Sequence, residues 1–426
     1  MRILQANKYH YAKGGAERYY LDVSRALAAR GHEVVPFAMQ HPRNEETPHA
    51  RHFVPEIDYR SRLSLGARLR AAARAIYSRE TVRRVRALVA DTHPQIAHLH
   101  NIYHQLSPSL ITELARCGTP IVQTLHDYNV VCPGSLFMAG GEVCEECKGG
   151  RYHRMLGQRC LLESRGASAV GAIEAYLHNL LKTYAKVDRF LCPSRFMLEK
   201  VAEFGLPREK LIHLPYFLRL ESYLPAFRES DYFIYLGRLS REKGIVTLFD
   251  ALRLRGGGRL RCRILGEGPI EGELRTRARE WGLGGVEFTG YLQGEALHEA
   301  IRNAAFTVVP SEWYENLPFS VLESFALGTP VVGAQIGGIP EMVLDGETGW
   351  TFRSGDAPGL AEKLAWMEAH PERVVALGRG ARTLVEERYA PGPHLDRLEE
   401  IYGTLISGRP GRPEAPVAAA QDRGSG

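Results

Sequence analysis

The chain is 426 residues long, with 44% hydrophobic and 24% charged residues, a composition that excludes a disordered protein, a collagen-like fibre and a small disulfide scaffold. Its 54 Lys and Arg against 49 Asp and Glu give a net charge of +5, too slight to mark a nucleic-acid binder without a localised patch. No apolar run reaches the roughly 18 residues of a membrane-spanning helix and no signal peptide is visible, so a cytoplasmic chain of two domains is expected.

In chain order, residues 3–6 read as a short apolar strand, followed by Gly14-Gly15 and an amphipathic helix over 16–30. A strand is expected at 34–39, then at 95–99 and 121–125, with a helix over 109–116 between the last two. Residues 190–192 lead into a helix over 196–204. The rhythm restarts after Pro215, with strands at 232–236, 262–265, 286–289, 306–309 and 330–332. Strands alternating with helices predict parallel sheets, so the expected fold is α/β: two Rossmann-like, doubly wound domains facing across a cleft. Their expected limits are 1–215 and 216–407, the last helix packing back on the first domain, with a Cys-rich insertion at about 128–165 and a disordered tail over 408–426. Ligands of such sheets bind at the carboxyl ends of the strands.

Several chemistries can be set aside. Leu265-Gly266-Glu267-Gly268-Pro269 follows a strand, but Glu271 stands where a dinucleotide fingerprint needs glycine. There is no phosphate-binding Walker sequence, and no Asp-x-Asp pair of the kind that holds a nucleotide through Mg²⁺, which favours a site without a catalytic metal. The positive evidence lies in the second half. Arg238 and Lys243 flank the turn after its first strand, behind Gly237, where two cations can clamp a diphosphate. Glu315 precedes an expected helix start at Asn316-Leu317-Pro318-Phe319, with Asn316 as its cap, and Glu323 follows two turns later. The free amides of that helix end would face an anion.

Together these residues form Gly-Arg-x4-Lys-Gly, Gly-Glu-Gly-Pro, Pro-Ser-x3-Glu-x7-Glu, Gly-Thr-Pro-Val-Val and Gly-Gly-Ile-Pro-Glu. The set resembles the family-4 retaining glycosyltransferases of the GT-B fold. Gly14-Gly15-Ala16-Glu17-Arg18 is similar to the family's amino-terminal glycine loop, Leu125-His126-Asp127 to its active-site histidine segment, and Cys192-Pro193-Ser194 to the segment closing its first domain. The resemblance implies a nucleotide diphosphate-sugar donor, with a glycan, lipid-linked or small-molecule acceptor in cell-envelope polysaccharide synthesis. It assigns His126, Arg238, Lys243 and Glu315 to catalysis, and Gly15, Gly237, Asn316, Leu317, Pro318, Phe319 and Glu323 to the donor. Glu315 would orient sugar hydroxyls, Glu323 the ribose, and Gly15 would leave room for the diphosphate. No cofactor is required. The chain departs from the family at Pro215-Tyr216-Phe217-Leu218-Arg219, where many members have Pro-Asn-Gly-Val-Asp. A sugar-nucleotide epimerase or phosphorylase of the same architecture, and an idle nucleotide-sugar-binding protein, are the competing readings.

Two features stand outside that scheme. Arg60, Arg62, Arg68, Arg70, Arg74, Arg79, Arg83, Arg84 and Arg86 stand against one acid, Glu80, with Leu65, Leu69, Ala72 and Ile76 at helical spacing. This suits either a solvated helix or an anionic membrane surface, in which case the chain is peripheral on the membrane's inner face. Aromatic residues are scarce there, against nucleic acid. Cys132, Cys144, Cys147 and Cys160 have the spacing C-x11-C-x2-C-x12-C. A structural zinc, a pair of disulfides and four free thiols are the readings left open.

Overall fold

The computed structural model describes residues 1–56 and 73–408. Two six-stranded parallel sheets organise the chain. The first holds β1 (Arg2–Ala6), β2 (Glu33–Phe37), β3 (Ile96–Leu99), β4 (Ile121–Thr124), β7 (Arg189–Cys192) and β8 (Leu211–His213) in the order β2-β1-β3-β4-β7-β8. The second holds β9 (Tyr232–Leu236), β10 (Arg261–Leu265), β11 (Val286–Gly290), β12 (Thr307–Val309), β13 (Val331–Ala334) and β14 (Gly349–Phe352) in the order β11-β10-β9-β12-β13-β14. The latter is the doubly wound order that reverses at its first strand, and the reversal opens a crevice at the carboxyl ends of β9 and β12.

The strands are short apolar runs because helices cover both faces of each sheet. β3, β4 and β13 are buried along their whole length. Helix Gly15–Ala29 follows β1 and buries Tyr19, Tyr20, Val23 and Leu27. Helix Arg195–Glu203 follows β7 and starts at Ser194, whose hydroxyl accepts the Met197 amide. Between β4 and β7 the chain makes an excursion through a small hairpin, β5 (Met138–Ala139) and β6 (Glu142–Val143), and the helices Met155–Gln158 and Arg165–Leu180.

One apolar core runs from the first domain into the second, joining Ile3, Tyr19 and Val23 to Tyr216, Phe217, Leu322 and Phe325. The last helix, Pro391–Ser407, lies on the first domain. His394 bonds Tyr19 through Nε2 (3.0 Å) and the Pro215 carbonyl through Nδ1 (2.8 Å), and Tyr402 meets His98 at 2.6 Å. Arg30 pairs with Asp396 and Glu399 along the same seam.

Residues 57–72, which include the arginine-rich stretch up to Ala72, and all but the first residue of the expected tail lie outside the described residues. Within helix Arg79–Thr92, Arg83 and Arg84 are paired with Glu80, and Arg86 with Glu113 of the neighbouring helix. Those three cations are thus already engaged within the fold.

Candidate functional site

A cleft of about 280 Å³ opens between the two sheets. Its second-domain wall is the turn after β9, carrying Gly237, Arg238 and Lys243, and the segment after β12 from Pro310 to Ser320. Gly15, Ala16, His126 and Tyr216 close it from the other side. Of the residues singled out from sequence, Gly15, His126, Gly237, Arg238, Lys243, Glu315, Asn316, Leu317, Pro318 and Phe319 meet in this one space.

Glu315 is nearly buried, and one oxygen, Oε1, gathers three donors: Lys243 Nζ at 2.7 Å, Ser311 Oγ at 2.8 Å and Trp313 Nε1 at 2.8 Å. Lys243 also lies 4.8 Å from the centre of the Trp313 ring. A buried carboxylate with this many donors is held in one rotamer, and among the described residues its Oε2 is left for a further donor. Arg238 is exposed at the cleft mouth and makes no ion pair among the described residues. Two cations and the start of helix Phe319–Ala326 therefore converge on a space suited to a multiply charged anion.

Backbone packing sets this geometry. Gly337 has φ +60°, and a Cβ there would fall 2.2 Å from the Glu315 carbonyl oxygen, which accepts the Gly338 amide at 2.8 Å. Only glycine fits so close an approach in the left-handed region. Gly337→Ala is expected to cost about 2–4 kcal/mol in urea unfolding, the sum of a strained dihedral and a backbone shift. A loss under about 0.5 kcal/mol would show that the loop yields freely.

His126, half-buried, sits in a chain of otherwise buried rings. Its Nδ1 lies 2.7 Å from the Tyr216 hydroxyl and its Nε2 3.0 Å from His100 Nδ1, while His100 Nε2 is 2.8 Å from Gln5 Oε1. With Gln5 Oε1 accepting, the protons order themselves: His100 donates through Nε2, His126 through Nε2 and Tyr216 through its hydroxyl. Every ring in that chain is neutral. Burial, with a smaller contribution from Lys8, drives the His126 pKa down to about 3. Burial and the neighbouring rings also push His98 and His100 well below the ordinary histidine range.

Some expectations take a different form. Asn316 does not cap the helix; Pro318 stands at the cap position. The Asn316 amide instead crosses to the first domain, donating to the Leu125 carbonyl at 2.9 Å and accepting from Ser194 Oγ at 3.1 Å. Gly15 lines the cleft and also touches its far wall, since a Cβ there would stand 2.8 Å from Cδ2 of Phe319. It lets helix Gly15–Ala29 close onto the second domain. Glu323 is not in the cleft wall. Its carboxylate is bound by the Arg18 guanidinium, which also bonds the Tyr223 hydroxyl. A ligand hydroxyl taking Glu323 Oε1 would displace Arg18.

No disulfide joins the four cysteines of the excursion. Cys132 and Cys147 are buried, and burial, with the neighbouring cysteines adding, pushes both pKa values up to about 12. Zinc needs four thiolates converging at about 2.3 Å around one point. Among the described residues no group of three or more Cys, His, Asp or Glu side chains is set to hold a metal ion, and Cys147 packs with Met155, Ala172 and the partly buried Cys160.

Tyr216 and Tyr314 carried no sequence signal. Tyr216 stacks on Phe319 at 5.1 Å and bonds His126, so the departing linker supplies a cleft wall. Tyr314, beside Glu315, bonds Glu145 of the excursion at 2.9 Å and packs its ring on Phe137 and Phe196. The Cys-rich excursion therefore braces the second domain's wall of the cleft.

Comparison with known proteins agrees in both halves. The family described as Glycosyltransferase Family 4 matches residues 13–221, and Glycosyl transferases group 1 matches residues 223–384. The amylovoran biosynthesis glycosyltransferase AmsK of Erwinia amylovora is 26% identical over 245 residues, 55% of this chain and 60% of that protein. The chain spans between about a third and three fifths of the length of the curated relatives it matches. Among solved structures, a sucrose-phosphate synthase from Thermosynechococcus elongatus superposes with a TM-score of 0.69 at 20% identity, covering 96% of this chain and all of that one. Alr3699/HepE of Anabaena, crystallised with UDP-glucose, gives 0.65 at 15% identity over 95% of this chain and all of that one.

Proposed function

Because the chain belongs to glycosyltransferase family 4 and has the GT-B fold, we propose that it transfers a sugar from a nucleotide diphosphate-sugar to an acceptor, retaining the anomeric configuration and using no catalytic metal. The observation that carries this reading is the convergence of Arg238, Lys243 and the start of helix Phe319–Ala326 beside the fixed carboxylate of Glu315. An anion site next to an acceptor of hydroxyl hydrogen bonds suits a sugar diphosphate.

In the reaction the bond from the anomeric carbon to the diphosphate oxygen breaks, and one to the acceptor oxygen forms. The acceptor's proton passes to the leaving phosphate. Arg238, Lys243 and the helix amides stabilise the charge that develops on that phosphate, and Glu315 Oε2 orients a sugar hydroxyl. His126, neutral with both nitrogens engaged, is a fixed wall of the sugar pocket and relays no proton in the transfer. Glu323 receives the ribose once Arg18 has swung off it.

The acceptor in this reading is a glycan or lipid-linked glycan of an envelope polysaccharide, handled on the inner face of the membrane. The relatives that act in polysaccharide biosynthesis support it, and HepE's complex supports a uridine diphosphate-sugar donor. No helix of the described residues is long and apolar enough to cross a membrane.

Thermal unfolding in the presence of UDP-, GDP- and dTDP-sugars tests the donor. One class is expected to raise the Tm through binding to the native state. Incubation with that donor alone should give at most slow hydrolysis. Conversion to an isomeric nucleotide-sugar would make the protein an epimerase, and no shift with any donor would defeat the reading.

A further inference from the structure

Helix Arg165–Leu180 is amphipathic the wrong way round. Its buried side carries Ser168, Glu174 and His178 beside the small residues Gly171 and Ala172, and no large apolar side chain. Each polar side chain has an internal partner: Ser168 Oγ accepts the Leu161 amide, Glu174 lies 3.2 Å from His104, and His178 bonds Thr183 and the Ile76 carbonyl. Its outer side carries Ile173, Tyr176 and Leu180 at i, i+3 and i+7, with Leu181 following. Ile173 is 58% exposed and Leu180 79%. A surface helix ordinarily turns its polar stripe to water. Here no charged residue on the helix faces solvent beyond its first position, Arg165.

The neighbouring turn extends the same face. The helix Met155–Gln158 packs against this one, with Tyr152 edge-on to Tyr176 at 5.1 Å. It adds Leu156 and Leu162, 41% and 78% exposed. Among the described residues, six of the eleven exposed large apolar side chains fall between Leu156 and Leu181. An apolar concentration of this kind on one face marks an interaction surface.

The charges around the patch select the partner. Arg159 and Arg165 stand at one end of the helix and Lys182 at the other, all exposed and without an ion pair among the described residues. The one exposed acid between Arg151 and Lys186 is Glu163, since Glu174 is buried against His104. An apolar stripe bounded at both ends by long cationic side chains matches a bilayer interface, where the stripe enters the acyl boundary and the cations meet anionic headgroups. A helix of sixteen residues, about 24 Å long, lies along such a surface rather than across it.

We propose that the outer face of helix Arg165–Leu180, with Leu156 and Leu162, docks the first domain onto an anionic membrane surface. This places the contact on a helix other than the arginine-rich stretch, in which three of the five described arginines, Arg83, Arg84 and Arg86, are held in ion pairs. The surface owes nothing to the transfer chemistry, and its test uses neither donor nor acceptor.

The test is co-sedimentation of the full chain with vesicles of phosphatidylglycerol and phosphatidylcholine, against phosphatidylcholine alone. Binding to the mixed vesicles is expected, and Ile173→Asp or Leu180→Asp should lower the partition coefficient at least about tenfold. Both side chains are exposed, so neither change disturbs the core. Arg159→Ser/Arg165→Ser/Lys182→Ser should weaken binding at low salt and flatten its salt dependence. Leu254→Asp, an exposed apolar position in the other domain, should bind as the parent does. Absent vesicle binding, or equal binding by the Asp variants, overturns the proposal. A lipid-free dimer that Ile173→Asp dissociates, with no vesicle binding, would assign the face to a second copy instead.

Discussion

Arg238→Ala and Lys243→Ala are each expected to lower turnover at saturating donor by about 10²–10³, the usual consequence of deleting one preorganised donor to a developing anion. The two should differ in character. Arg238 is exposed and unpaired among the described residues, so its loss should leave stability within about 0.5 kcal/mol of the parent. Lys243 also supports Glu315, and its removal leaves that carboxylate with Ser311 and Trp313 alone, so a loss of about 1–3 kcal/mol accompanies the kinetic defect. Arg238→Lys should remain impaired if the guanidinium grips two phosphate oxygens, because an ammonium presents a single point of charge. Steady-state kinetics with urea unfolding on the same preparations separates these effects. Near-normal turnover in both alanine variants would remove the clamp from the mechanism.

A steep loss of stability on acidification is the second large effect. His98 and His100 are buried and His126 is half-buried, and burial holds all three below their unfolded pKa of 6.5. The sign follows from proton counting. Below about pH 6.5 the unfolded chain protonates these rings while the folded one does not, so stability is full above that pH and falls as pH drops toward the folded values. Each such histidine contributes about 1.4 kcal/mol per pH unit within the window. His10 and His394, both lowered to about 4, add to the slope. Asp127 opposes it, because burial raises its carboxyl pKa and acid relieves that penalty. Urea unfolding between pH 7.5 and 5 should show the midpoint falling steeply, and His100→Gln should flatten the profile by about one proton while lowering stability overall. A flat profile would mean that these rings are protonated in the fold.

The two-sheet architecture was legible because short parallel strands are near-continuous apolar runs, and residues 232–236 are β9 without adjustment. Ends moved by a residue or two where the ladder, not hydropathy, sets the limit: β2 stops at Phe37 although the apolar run continues to Met39. β8 and β14 escaped notice because three or four residues such as Leu211–His213 carry no period. In the cleft, spacing exposes residues whose neighbours in sequence are also neighbours in space. Arg238, Lys243 and Glu315 are of this kind. Tyr216 meeting His126, Arg18 meeting Glu323 and Tyr314 meeting Glu145 depend on the two domains closing, and each reads from sequence as an ordinary aromatic or surface charge. The helix Arg165–Leu180 shows the converse: its periodicity is plain, but only the fold reveals that the polar face is the buried one.

Glu341 bears on how the molecule is made. It lies in the second domain, yet its two carboxylate oxygens accept the amides of Arg195 and Phe196, at 2.9 and 2.7 Å, at the start of helix Arg195–Glu203 in the first. The ribosome delivers that helix well over a hundred residues before its acidic partner. Until then Ser194 is its sole side-chain cap, and two leading amides of the helix face water. A nascent first domain therefore waits with an unfinished end, and synthesis of the second supplies the missing negative charge. The chain's two halves are maturation partners as well as walls of one cleft.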